Sequence, residues 1–270
     1  MSLFDWGPFL AGGPLFIGIL NLTPDSFSDG GRFAEPDSAL AQARALLQSG
    51  AGMLDVGAES TRPGAAPLDP AAEWQRLEPV LVRLRRELPH LPISVDTRHA
   101  EVAGPALAAG ATVLNDVTGF SDPAMLRLAQ VSPSGLIAMR SRQEHGRLHM
   151  PPYEGPGHGR PHEAVAELTQ VRDRLLGAGI SPGRILLDPG FGFGTTFAED
   201  QTLWQALPSL PEALAWPAAR FCLGLSRKRF LAWKAGQPDL PPAQRDALTA
   251  AAHVDAETWG YRVFRTHAIG

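Results

Sequence analysis

Cysteine occurs once, at Cys222. That excludes an intrachain disulfide and any cysteine-rich zinc site. No basic residue precedes Arg32 and no long apolar core lies near the start, so the pattern of a secretory signal peptide is not met. No run approaches the roughly 18 consecutive apolar residues of a membrane-spanning helix. These absences predict a soluble, cytoplasmic protein. Charge is sparse as well. The 24 Lys and Arg stand against 28 Asp and Glu, a net charge of −4 with the eight His neutral. Mild acidity argues against a nucleic-acid or membrane surface, while leaving room for a local cationic pocket.

What is present is 44% hydrophobic residues in 270, with 28 Gly and 25 Pro spread along the chain. The Gly and Pro punctuate a recurring unit: a short apolar run, a polar residue, a turn, a helical stretch. The apolar runs cover 15–21, 53–59, 93–97, 112–117, 135–140, 185–190, 221–226 and 261–267. Most do not alternate, which is how strands buried on both faces of a parallel sheet read. Helical spacing is predicted over 36–49, 72–88, 98–109, 123–131, 162–178, 199–207 and 242–258. Pro79 should kink the second of these and Gly104-Pro105 should break the third. The segment 141–160 reads as a mobile loop. The cluster Arg83, Arg85 and Arg86 reads as a solvated helix face. Eight strands alternating with seven helices predict an α/β chain forming one domain over 1–270, a parallel (β/α)8 barrel whose last helix is missing or truncated. An open doubly wound sheet is the runner-up.

Position is the informative observation. Asn21, Asp55, Asp96, Asn115, Asp188, Ser226 and His267 read as the polar residues where the strands hand over to their loops, with Lys228 just beyond the seventh. In a parallel barrel these ends converge on the face where active sites are built. Asp96, Asn115 and Asp188 supply acceptors and an amide donor, which suits a flat heterocycle bearing N–H groups. Lys228, Arg62, Arg265 and His267 supply positive charge for an anion such as a pyrophosphate. A neutral Asn among them suits Mg2+, an oxygen-seeking ion that keeps several waters. Two polar segments, 21–31 with Phe27 and 59–64, read as loops that close over ligands. The glycines of 188–194 do not fit the dinucleotide fingerprint, since Thr195 stands where its third Gly would fall. They read as places where backbone approaches a ligand, with Phe191 or Phe193 as apolar walls. The pairs His145/His149 and His158/His162 lie in a Pro/Gly-rich stretch and do not read as metal ligands. Cys222 reads as a buried apolar residue.

The segments NLTPDSFSDGG, DVGAESTRPGA, SVDTR, LNDV, LDPGFGFG and GLSRKRF resemble, in order and over residues 16–267, the dihydropteroate synthase family. The resemblance implies a (β/α)8 barrel and a transferase of folate biosynthesis. That enzyme joins 6-hydroxymethyl-7,8-dihydropterin diphosphate to 4-aminobenzoate with Mg2+, acts as a homodimer and is the sulfonamide target. By motif, Asn21 should ligate Mg2+. Asp96, Asn115, Asp188 and Lys228 should hold the pterin, with Met139 as an apolar contact. Asp55 should lie nearby and support the loop after it. Arg62, Arg265 and His267 should take the diphosphate. Thr61, Pro63, Phe193 and Ser226, with Phe27 and Ser28, should shape the 4-aminobenzoate pocket. Asp96, Lys228, Arg62 and Asp188 are the expected catalytic residues.

The chain departs from the family pattern at Ala268, where Asp is usual, at Thr195, where Lys is usual, and at Arg140-Ser141, where His-Met is usual. These departures keep a second reading open, a non-catalytic pterin-binding paralogue. A methyltetrahydrofolate methyltransferase, which shares the barrel, has no use for the Arg62 loop.

Overall fold

A computed structural model describes residues 3–22, 35–59, 68–144, 147–148, 153–154 and 161–269. Eight parallel strands form the central sheet: β1 (Leu15–Asn21), β2 (Met53–Gly57), β3 (Ile93–Asp96), β4 (Val113–Asp116), β5 (Gly135–Met139), β8 (Ile185–Asp188), β9 (Cys222–Leu223) and β10 (Val263–Thr266). Each pairs with the next in chain order, and β10 returns to β1. A parallel bridge between Leu187 and Phe221 joins β8 to the start of β9 and closes the (β/α)8 barrel. The first strand matches its apolar run, while the other seven stop one to three residues before theirs.

Helices α2 (Glu35–Gln48), α3 (Pro70–Glu87), α4 (Ala100–Ala108), α5 (Pro123–Val131), α6 (Pro161–Gly177), α7 (Phe197–Ala206) and α8 (Asp246–Thr258) surround the barrel. Pro79 and Pro105 both stay inside their helices. For α4 the buried face of Val102, Ala103 and Ala106 outweighs the one backbone hydrogen bond that Pro105 removes. Arg85 is more than a solvated charge: its guanidinium donates to the carbonyls of Pro89, Leu91 and Gly110 and ties α3 to the turn before β4. Part of 141–160 is ordered as a two-stranded antiparallel hairpin, β6 (Gln143–Glu144) with β7 (Arg147–Leu148). Among the described residues no helix follows β10, and none is long and apolar enough to cross a membrane.

The barrel interior is layered. Leu15, Ile17, Met53, Val113, Ile137, Leu186, Cys222 and Val263 fill its N-terminal end. A short helix, α1 (Gly7–Leu10), and the residues before it plug that end. Trp6 has no exposed surface, and its Nε1–H donates to the Arg184 carbonyl at 3.0 Å. Burying apolar surface at this end leaves the opposite end of the barrel as the place where polar side chains meet.

Candidate active site

Strands that do not pair with one another exchange hydrogen bonds across the C-terminal mouth, β10 with β2 and β3 and β4 with β2, which places these side chains inside the barrel. Arg265 on β10 donates from Nε to Asp55 Oδ2 on β2 at 2.5 Å and from Nη2 to Asp96 Oδ2 on β3 at 2.6 Å. Asn115 on β4 donates from Nδ2 to the same Asp55 oxygen at 3.0 Å. Asp55 sits mid-strand rather than at a strand end, fully buried, and organises Arg265 and Asn115; the loop after β2, at 60–67, lies outside the described residues. Its other oxygen, Oδ1, is buried without a partner among the described residues. Arg265, expected to bind diphosphate, has two of its three nitrogens committed to carboxylates.

Asp96 lies level with Gly57 and Asn115, and Asp188 level with Met139. Together they form the floor of the mouth. Burial pushes the Asp188 carboxyl up to about 6 against the pull of Lys228, Arg265 and Arg140. Burial likewise raises Asp96 to about 7, outweighing Arg265, with Asp55, Glu73 and Asp116 adding to the rise. Carboxylates desolvated in this way accept strongly from N–H donors. Asn115 and Met139 are both buried beside them.

Two turns bring the remaining groups in. The 188–194 turn needs its glycines. Gly190 has φ +74°, and a side chain there would start 1.9 Å from the Arg140 carbonyl oxygen. Gly192 has φ +72° and packs against the Lys228 side chain. Asp200 and Thr195 accept the Gly192 N–H at 3.0 and 3.1 Å. The second turn, Ser226-Arg227-Lys228, holds Arg227 at φ +58°, a left-handed conformation that costs a non-glycine residue about 1 kcal/mol. Asp246 pays out two hydrogen bonds to hold it, accepting from Arg227 Nε and Nη2 at 2.7 and 2.9 Å, while Arg245 donates to the Arg227 carbonyl. Lys228 thereby projects over the Phe193 ring, 4.0 Å from its centroid. Burial lowers its ammonium to about 8, with Asp200, Asp188 and Asp96 resisting the fall.

His267 also differs from expectation. Burial, with Arg227, Arg265 and Lys228 nearby, pushes it down to about 3. It is therefore a neutral imidazole at physiological pH, not a cation. The Ser226 hydroxyl lies 3.0 Å from Nδ1 and accepts the His267 backbone N–H at 3.0 Å. The hydroxyl keeps a second lone pair and its own proton, so it can pair with either tautomer of the neutral ring.

Asn21 ends β1 on the same rim, partly exposed, and its side chain makes no hydrogen bond with the described residues. One neutral carbonyl oxygen, open to water and near a mouth that suits an anion, fits Mg2+, which takes few protein ligands beside waters and phosphate oxygens. Thr61, Arg62, Pro63, Phe27 and Ser28 lie outside the described residues, as do His145, His149 and His158.

The mouth therefore unites Asp96, Asn115, Met139, Asp188, Phe193, Ser226, Lys228, Arg265, His267 and Asn21 on one rim. Sequence reasoning missed Asp200, Asp246 and Arg245, which act from helices or helix entries. The only signal of Asp200 and Asp246 was an acidic residue at the start of a helix, which ordinarily reads as helix-dipole chemistry, and Arg245 had none.

Residues 17–267 match the model of the family described as pterin binding enzyme. The dihydropteroate synthase of Mycobacterium leprae is 39% identical over 260 residues, covering 93% of this chain and 88% of that protein. Among solved structures, the Xanthomonas albilineans dihydropteroate synthase with 4-aminobenzoic acid superposes with a TM-score of 0.82 at 37% identity, covering 95% of this chain and 88% of that one. The same enzyme in complex with 7,8-dihydropteroate gives 0.79 at 35% identity over the same shares. A barrel whose mouth carries this set of groups, matched along nearly its whole length, belongs to the pterin-binding enzyme family, among the dihydropteroate synthases.

Proposed function

We infer that the chain catalyses the dihydropteroate synthase reaction of folate biosynthesis. It condenses 6-hydroxymethyl-7,8-dihydropterin diphosphate with 4-aminobenzoate to 7,8-dihydropteroate and diphosphate. The observation that carries this is the convergence of Asp96, Asn115 and Asp188 with Lys228 at one barrel mouth, in a chain so similar to enzymes whose structures hold 4-aminobenzoic acid and 7,8-dihydropteroate.

In this reading the pterin edge meets Asp96, Asn115 and Asp188, with Met139 as an apolar contact and Lys228 as a donor. The aryl amine enters over Phe193 and Ser226, beside Thr61 and Pro63. The methylene C–O bond breaks ahead of C–N bond formation, because the electron-rich dihydropterin stabilises a cation-like methylene. Asp96 and Asp188 offset that positive charge from fixed positions, the kind of preorganised stabilisation that often supplies the largest catalytic term. The diphosphate leaves toward Arg62, the outer nitrogen of Arg265 and the imidazole of His267. Asn21 would hold Mg2+, which when bound neutralises charge building on the leaving diphosphate. The neutral arylamine is already nucleophilic, and the acidic ammonium formed with the C–N bond sheds its proton to water, so no strong base and no covalent enzyme intermediate are required. The family likeness also implies a cytoplasmic homodimer, and sedimentation velocity would register the pairing.

The test is diphosphate release, with and without 4-aminobenzoate and Mg2+, for the wild type beside Lys228→Ala. Release that needs both substrates and the metal, yields dihydropteroate and falls at least about 100-fold in the variant is the expected result. Tight pterin binding without turnover would sink the catalytic reading in favour of a binding protein.

A further inference from the structure

Asp200 has no exposed surface and lies in the first turn of α7, beneath the glycine turn of the active site. Both carboxylate oxygens are used. Oδ1 accepts the Gly192 N–H at 3.0 Å and the Thr195 hydroxyl at 2.7 Å, and Oδ2 accepts the Tyr153 hydroxyl at 3.2 Å. On its other side Gly192 meets Lys228 directly: a side chain at this glycine would start 3.5 Å from Nζ. Of the charges that act on Lys228, that of Asp200 is the strongest, ahead of Asp188 on β8 and Asp96 on β3, while Arg265 on β10 opposes them. Thr195 supplies a hydroxyl where the family pattern has a lysine. Burial raises the Asp200 carboxyl, and the hydrogen bonds from Thr195, Gly192 and Tyr153 with the charge of Lys228 pull it back toward the ionised form.

We propose that Asp200 is a positioning residue for the reaction: through Gly192 it fixes the turn that carries Phe193, and its charge holds the Lys228 ammonium against that turn. The inference rests on the functional reading above. Asp200 acts through Lys228 and Phe193, so its removal disturbs two separable quantities. The charge governs how long Lys228 keeps its proton as pH rises. The hydrogen bonds govern where Phe193 stands and so how 4-aminobenzoate binds.

Three variants of the full chain separate these from a purely structural role at a helix start. Asp200→Asn keeps an acceptor oxygen for Gly192 and Thr195 and removes the charge. Thr195→Val removes a turn hydrogen bond and keeps the charge. Asp200→Ala removes both. The readouts are kcat/KM against pH, KM for 4-aminobenzoate, and melting temperature. In Asp200→Asn the basic limb of kcat/KM is expected to move at least about 0.5 to lower pH. In Thr195→Val the limb should stay, with KM for 4-aminobenzoate raised at least about threefold. Asp200→Ala should show both effects, and if it fails to fold the other two variants still decide. An active Asp200→Asn whose limb does not move, or variants that differ from wild type only in melting temperature, would overturn the inference while leaving the function intact. An inactive wild type would instead remove the functional reading and the inference with it.

Discussion

Asp55 and Arg265, 210 residues apart in the chain, meet inside the barrel with Oδ2 2.5 Å from Nε. Asp55 is fully buried while Arg265 retains some exposure on the mouth side. The pair therefore has a structural end and a working end, and Asn115 shares the same Asp55 oxygen. Removing Asp55 leaves Arg265 held by Asp96 alone and Asn115 without its acceptor. Asp55→Ala is expected to cost about 3 kcal/mol in stability, the range for breaking a buried ion pair, and to lower kcat/KM at least about tenfold. Urea denaturation with parallel kinetics measures both. An unchanged midpoint would mean that the pair is energetically idle.

The activity should follow a bell in pH. Asp188 and Asp96 are raised to about 6 and about 7, so as pH falls through these values they protonate and lose their strength as acceptors. Lys228 is lowered to about 8, so as pH rises through that value it loses its charge. The optimum of kcat/KM is therefore expected between these limits. In Lys228→Arg the basic limb should vanish from the measurable range, because a guanidinium stays protonated. A basic limb retained in that variant would assign it to another group.

A second ion pair lies just outside the mouth. His99 Nδ1 is 2.7 Å from Glu73 Oε2, and that hydrogen bond raises the imidazole above its ordinary 6.5. Because the folded value is the higher one, the stabilisation is fully present below the ordinary value and is lost as pH rises through the raised one. His99→Gln should therefore lower the melting temperature more at about pH 5.5 than at about pH 9.5. An equal loss at both would show that the contribution is not ionic.

Arg227 offers a test of strain beside Lys228. Arg227→Ala loses the Asp246 pair and keeps the left-handed backbone, whereas Arg227→Gly loses the pair and relieves the backbone. The glycine variant is expected to be the more stable by about 1 kcal/mol. Chemical denaturation of the two side by side measures this. An alanine variant as stable as the glycine one would mean that the turn relaxes when the side chain is gone.

Much of the barrel was legible because its signals are local. Strands buried on both faces read as unbroken apolar runs such as Leu15–Leu20 and 185–187. Parallel topology then fixes that the residues ending those runs share a rim, so Asp96, Asn115, Asp188 and Lys228 could be brought together before any contact was known. Apart from β1, strand ends were overrun by one to three residues, because the residues just past a strand resemble its continuation. Pro105 misled for the opposite reason, since a local break signal was outweighed by burial of the helix around it.

The order of polar residues along the chain, with the apolar periodicity around them, was enough to determine the fold class and the chemistry at the barrel mouth. Who pairs with whom was decided only by the tertiary structure. Asp55 turned out to hold Arg265 and Asn115, His267 to be neutral, Trp6 to plug the far end, and Asp200 to stand behind Lys228. The physical reason is common to all four. Barrel closure sets which side chains from distant strands and helices come within hydrogen-bonding reach, and burial sets which charges survive there. Neither quantity is a property of any local stretch of sequence.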